Sequence, residues 1–184
     1  MSAPTVEALP AHGLPEIAFV GRSNVGKSSL LNCLTKSAGL ARVSRTPGRT
    51  QLLNLFVFED RWAFVDLPGY GFARLAHDHR DAMQRMVHGY FREREALAGV
   101  VLLVDARRER PTEDDEGAVA ELLRLGRRVL VVATKIDAVA KNIRRQRLSE
   151  IERALGLEAG TVLGVSSVTG DGRAQLVAAL RELG

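Results

Sequence analysis

Gly21-Arg22-Ser23-Asn24-Val25-Gly26-Lys27-Ser28 fits the spacing G-x-x-x-x-G-K-[ST]. Its glycines let the backbone wrap a phosphate with N–H groups, and a following helix would aim its positive end at the same point. Lys27 is placed to reach the β- and γ-phosphates and the Ser28 hydroxyl to ligate magnesium, which makes the segment a nucleoside triphosphate loop. Asp66-Leu67-Pro68-Gly69 supplies a carboxylate for a magnesium-bound water and a glycine N–H for the γ-phosphate. Between them, the loop ending Gly48-Arg49-Thr50-Gln51-Leu52 offers a second hydroxyl ligand for magnesium. Thr50, beside the next strand, is the first choice and Thr46 the runner-up.

The base is read further on. In Thr134-Lys135-Ile136-Asp137 a carboxylate can accept from both N1–H and the 2-amino group of guanine. Adenine has neither donor on that edge and would leave the charge unpaired. Asp137 therefore selects GTP over ATP, and the Lys135 stem can lie over the base or ribose. Val165-Ser166-Ser167-Val168 completes the set, with backbone N–H groups that could bind guanine O6.

These segments need a scaffold that gathers loop ends. Apolar runs at Ile17–Val20, Leu52–Phe58, Trp62–Val65, Val100–Val104, Val129–Ala133 and Val162–Val165 read as strands. Helical patterns lie near Lys27–Lys36, His79–Glu95, Glu113–Leu125, Asn142–Leu155 and Gly172–Leu183. The alternation predicts an α/β fold: a single P-loop NTPase domain, residues 15–184, around a mostly parallel six-stranded sheet with helices on both faces. Ligands bind such sheets beyond the carboxyl ends of the strands, where each segment above falls. Residues 1–14, with two prolines and no periodicity, read as a loose N-terminal arm.

The 184 residues suit one domain, and a lone cysteine, Cys33, excludes an internal disulfide. No basic region followed by an apolar run opens the chain, and no stretch approaches the roughly 20 apolar residues that span a bilayer. The expectation is a cytoplasmic monomer without a membrane partner. Net charge is +4, and of 26 basic residues only Lys27, Lys36, Lys135 and Lys141 are lysines. The basic clusters Arg107/Arg108/Arg110, Arg127/Arg128 and Lys141 with Arg144/Arg145/Arg147 are either solvated faces or contacts to RNA phosphates.

Together GRSNVGKSSLLN, TPGRTQ, DLPGYGFAR and TKID resemble the EngB (YihA/YsxC) family, within the translation-factor-like class of P-loop GTPases. The similarity runs from about Pro15 onward. It implies a bacterial GTPase that assists assembly of the large ribosomal subunit, with precursor particles and ribosomal RNA as partners and a link to normal septation and cell division. It also supports Thr50 as the magnesium ligand. Many regulatory GTPases place a water-orienting glutamine just after the D-x-x-G segment; here Tyr70 stands instead. Slow intrinsic hydrolysis follows, with Lys27, Thr50, Gly69 and Asn24 as the catalytic set. Asn24 resembles the asparagine that helps place K⁺ in potassium-activated GTPases, the alternative being that it merely fits the loop conformation. The alternative is a GTP-dependent scaffold for division proteins with negligible turnover. His77 and His79 read as a solvated helix start, Cys33 and Trp62 as packing residues, and Thr112 through Glu116 as a helix cap.

Overall fold

The computed structural model describes residues 2–3, 5–35, 53–69 and 77–183. Its strands are β1 (Ser2–Ala3), β2 (Glu16–Gly21), β3 (Leu53–Phe58), β4 (Trp62–Asp66), β5 (Leu97–Asp105), β6 (Val129–Thr134) and β7 (Leu163–Val165). The helices are α1 (Lys27–Thr35), α2 (His77–Glu93), α3 (Glu113–Arg124), α4 (Arg144–Ala154) and α5 (Arg173–Leu183). The strands form one sheet in the order β1-β3-β4-β2-β5-β6-β7, parallel except where β3 pairs with β1 and β4. The six expected strands and five expected helices are all present.

Alternation along the central strands explains the layers. Ile17, Phe19, Val101 and Leu103 point to the face covered by Leu30 and Leu34 of α1 and Leu176 and Leu180 of α5. Ala18, Val20, Leu102 and Val104 point to the other face, against Tyr90 of α2, Leu122 of α3 and Ile151 of α4. Both faces are dry, so β5 reads as an unbroken apolar run, each large side chain contributing roughly 1.5–3 kcal/mol on burial. The hairpin between β3 and β4 turns through Glu59 and Asp60, both with positive φ, closed by Arg61 N–H on Phe58 O at 3.1 Å. With Phe58 paired to Trp62, the connection is the three residues 59–61. Trp62 is buried and stacks on Phe58. Thr112 caps α3 reciprocally with Asp115, as expected. Cys33 is only half-buried, short of the core position expected for it.

The N-terminal arm corrects the sequence reading. Ser2–Ala3 adds a seventh strand antiparallel to β3, and Ala3 and Leu9 are buried in the main core. Arg94 donates to Pro10 O at 3.0 Å. The strand pairing and the Arg94 contact that hold the arm come from residues distant in sequence, which no local periodicity announces. Among the described residues no helix is long and apolar enough to cross a membrane.

Candidate nucleotide site

The carboxyl ends of β2, β4, β5, β6 and β7 share one edge of the sheet, and β2 is flanked by β4 and β5 where the chain changes direction along the sheet. The phosphate loop leaves β2 at that switch point. Asn24 (φ 62) and Gly26 (φ 107) take left-handed conformations, and Val25 N–H bonds Arg22 O at 3.1 Å, which curls the loop before α1 begins at Lys27. The left-handed turn accounts for an asparagine here on conformational grounds alone.

Lys27 is buried and forms an ion pair with Asp66 at the end of β4, while its Nζ donates to Leu67 O at 2.6 Å. The two residues assigned to phosphate and metal therefore meet at one point. Gly69 presses against the phosphate loop so closely that a Cβ would sit 2.8 Å from Gly21 O and 3.3 Å from Ser23 N. The sequence offers Gly69 as an N–H donor; close approach is a second, steric requirement. Ser28 and Asp66 offer only hard oxygen donors, and Asp66 already accepts a cationic group, so the site fits magnesium. Bound there, the ion would offset charge on the β- and γ-phosphates. Thr46, Gly48, Arg49, Thr50, Gln51, Leu52 and Tyr70 lie outside the described residues.

A cavity of about 260 Å³ opens beside the loop, lined by Gly26, Ser29, Lys135, Asp137, Ser167 and Val168 among others. Its floor is tied to the phosphate loop twice. Thr134 Oγ1 lies 2.6 Å from Val25 O, and Lys135, itself at φ 59, donates from Nζ to Asn24 O at 2.7 Å. Asp137 lines this cavity and is hydrogen-bonded to no side chain among the described residues. Ser166 is fully buried, and its Oγ accepts from the N–H groups of Val168 and Thr169 at 3.1 and 3.0 Å. Its own N–H is taken by Asp171 O at 2.9 Å, so the Ser166 and Val168 N–H groups are both engaged within the loop. Gly172 closes the loop at φ 75, where a Cβ would fall 2.0 Å from Gly164 O.

The sequence reading missed Asp105. It ends β5 in register with Thr134, just as Asp66 ends β4, and its position after a buried strand was the available signal. Arg107 Nε and Nη2 hold its two oxygens at 2.9 and 2.7 Å, and Lys135 Nζ reaches it at 2.8 Å. Burial alone would raise its pKa, but these bonds outweigh it and hold the carboxyl at about 2.

A family model described as "50S ribosome-binding GTPase" matches residues 16–135. A probable GTP-binding protein EngB from Anaeromyxobacter sp. (strain K) is 48% identical, across 96% of this chain and 86% of that one. The chain belongs to the EngB family of GTP-binding proteins. Another EngB, from Syntrophomonas wolfei, is 43% identical across 97% and 91%. The fold agrees with a crystal structure of a probable GTP-binding protein EngB, at a TM-score of 0.75 and 22% identity over 91% of this chain and 97% of that one. It agrees also with Era solved with MgGDPNP and a segment of 16S ribosomal RNA, at a TM-score of 0.73 and 24% identity over 92% and 56%. As an EngB protein the chain is a GTP-binding member of the GTPase family, whose members generally use magnesium with the nucleotide.

Proposed function

We propose that this EngB protein is a slow GTPase whose GTP form binds a precursor of the large ribosomal subunit and whose GDP form leaves it. The observation that carries the switch is the double tie from Thr134 and Lys135 to Val25 and Asn24, which joins base recognition to the phosphate loop. Asp137 selects guanine, Lys27 and the loop N–H groups hold the phosphates, and Ser28, Thr50 and Asp66 hold magnesium, Asp66 through water. The ribosomal half rests on the family, whose matching model is described as a 50S ribosome-binding GTPase. The link to septation comes from the family resemblance, and the expected setting is the cytoplasm.

Sedimentation with large-subunit particles tests this. Binding should be retained with a non-hydrolysable GTP analogue and lost with GDP, and should weaken steeply as salt rises. Equal recovery in both nucleotides removes the switch.

Tyr70 in place of a water-orienting glutamine supports a low intrinsic rate. Asn24 supports activation by K⁺. Turnover in K⁺ should exceed turnover in Na⁺ at equal ionic strength; equal rates leave Asn24 with only its conformational role.

A further inference from the structure

The wall of the base cavity carries more than the guanine-reading segment supplies. Asp105 is 10% exposed and binds two cations at once. Arg107 grips it through both Nε and Nη2, and Arg107's backbone N–H donates to Oδ1 at 3.1 Å. Lys135 Nζ sits on Oδ2 while also reaching Asn24 O. Lys135 pays for its left-handed backbone, so these two contacts are what hold it in place. The carboxylate stays ionised throughout the neutral range and anchors both cations there.

Arg107 lines the same cavity as Lys135 and Asp137, and lies near enough to Asp137 to feel its charge. With two nitrogens on Asp105, its Nη1 has no partner among the described residues, and its side chain remains 55% exposed. A guanidinium fixed this way keeps one flat face and one donor edge for a ligand. A purine ring suits the face, and a ribose or base acceptor suits the edge. An exposed pair of single charges would be worth little. This one differs: the anion is largely buried, the grip is bidentate, and a second cation shares it.

We propose that Arg107 binds the base–ribose end of the nucleotide directly, and that Asp105 is a positioning residue which sets Arg107 and Lys135 together along one wall of the cavity. This rests on reading the cavity as the guanine pocket. Nothing in the arrangement touches the γ-phosphate, so GTP and GDP should feel it equally.

Titration of nucleotide-stripped protein with GDP, GTP and ADP tests the assignment, alongside thermal unfolding of each stripped variant. Arg107→Ala should weaken GDP and GTP alike by about 5- to 20-fold, the range of a partly desolvated cation on a ring. Asp105→Asn should cost more, because it releases Lys135 as well. Its cost should shrink in the Arg107→Ala background, since part of its action runs through that residue. Unfolding midpoints without nucleotide should stay near wild type. Wild-type affinity in Arg107→Ala, an unchanged Asp105→Asn cost in that background, or a fall in the stripped midpoint that accounts for the lost affinity would each overturn the proposal. Wild-type protein that fails to prefer GDP over ADP would instead bring down the guanine-pocket reading, and this inference with it.

Discussion

Replacing Asp137 with Asn should convert the site from guanine to xanthine nucleotides. The carboxylate accepts from guanine N1–H and the 2-amino group. An amide in its place keeps one acceptor and turns an NH₂ toward the 2-amino group, so two donors face each other. Losing one partner of a charge-assisted pair in a ligand site costs about 2–5 kcal/mol, so GTP affinity should fall by roughly two to three orders of magnitude. Xanthine carries a 2-oxo group at that edge, which accepts from the new amide while its N1–H still donates to the amide oxygen. XTP should therefore bind Asp137→Asn more tightly than GTP does. The carboxylate has no side-chain hydrogen bond to lose among the described residues, so the unfolding midpoint of the stripped variant should scarcely move. Titration with the two triphosphates decides it: a variant that still prefers GTP means another group reads the base.

The reason the fold was legible lies in its dry central strands. Val100 through Val104 are buried on both faces, and such a run has few alternatives to a parallel interior strand. Helix starts were legible wherever a local device marks them, as at Thr112, whose capping partner is only three residues away. The phosphate loop and Asp137 were legible because their chemistry depends on short spacings within one segment. What sequence could not show was which distant group each polar residue meets.

Arginine makes the point best. Arg127 Nε donates to Phe91 O at 2.6 Å at the end of α2, Arg173 reaches Cys33 O and Leu34 O at 2.9 and 2.7 Å at the end of α1, and Arg128 bonds Leu183 O at 2.8 Å near the end of α5. Arg147 holds Arg108 O and Glu109 O, pinning the loop after β5. These guanidinium groups satisfy carbonyls that helix ends and loops leave open. The pair Arg127/Arg128, read from sequence as either a solvated face or an RNA contact, thus binds carbonyls of the fold, with Arg128 still exposed. Arg108, Arg110, Lys141 and Arg145 remain exposed. Asp105 escaped notice for the related reason that its two cations come from different segments.

The largest stability effect should come from the far end of β2, at Glu16. This side chain has no exposed surface, yet it is charged. Arg94 grips it with Nε at 3.1 and 3.0 Å and Nη2 at 2.6 Å, and the buried Tyr90 hydroxyl donates to Oε2 at 2.6 Å. His12 Nδ1 accepts from Leu14 N–H, which leaves the proton of the neutral ring on Nε2 to donate to Oε1 at 2.9 Å. Burial pushes the Glu16 pKa up, but the bonds from Arg94, Tyr90 and His12 together bring it below its ordinary value. Burial and the neighbouring Glu16 charge raise that of Tyr90. The network joins the N-terminal arm, β2 and α2, so it fastens the segment that sequence alone left loose. Glu16→Ala strands a partly buried guanidinium and a buried phenol, at a cost of about 3–5 kcal/mol. For a chain of this size that lowers the unfolding midpoint by roughly 6–20 °C. Because the folded pKa is depressed, the stabilisation is complete above the ordinary glutamate range and fades as pH falls through the folded value. Wild type should therefore lose stability below about pH 4 more steeply than Glu16→Ala. Replacing Glu16 and Arg94 together with Leu and Met should cost less than the single change, since no uncompensated charge remains. Unfolding followed by circular dichroism from pH 3 to pH 7 reads all three. Parallel pH profiles for wild type and Glu16→Ala would mean that Glu16 titrates alike in the folded and unfolded chain, so that the network does not favour its ionised form.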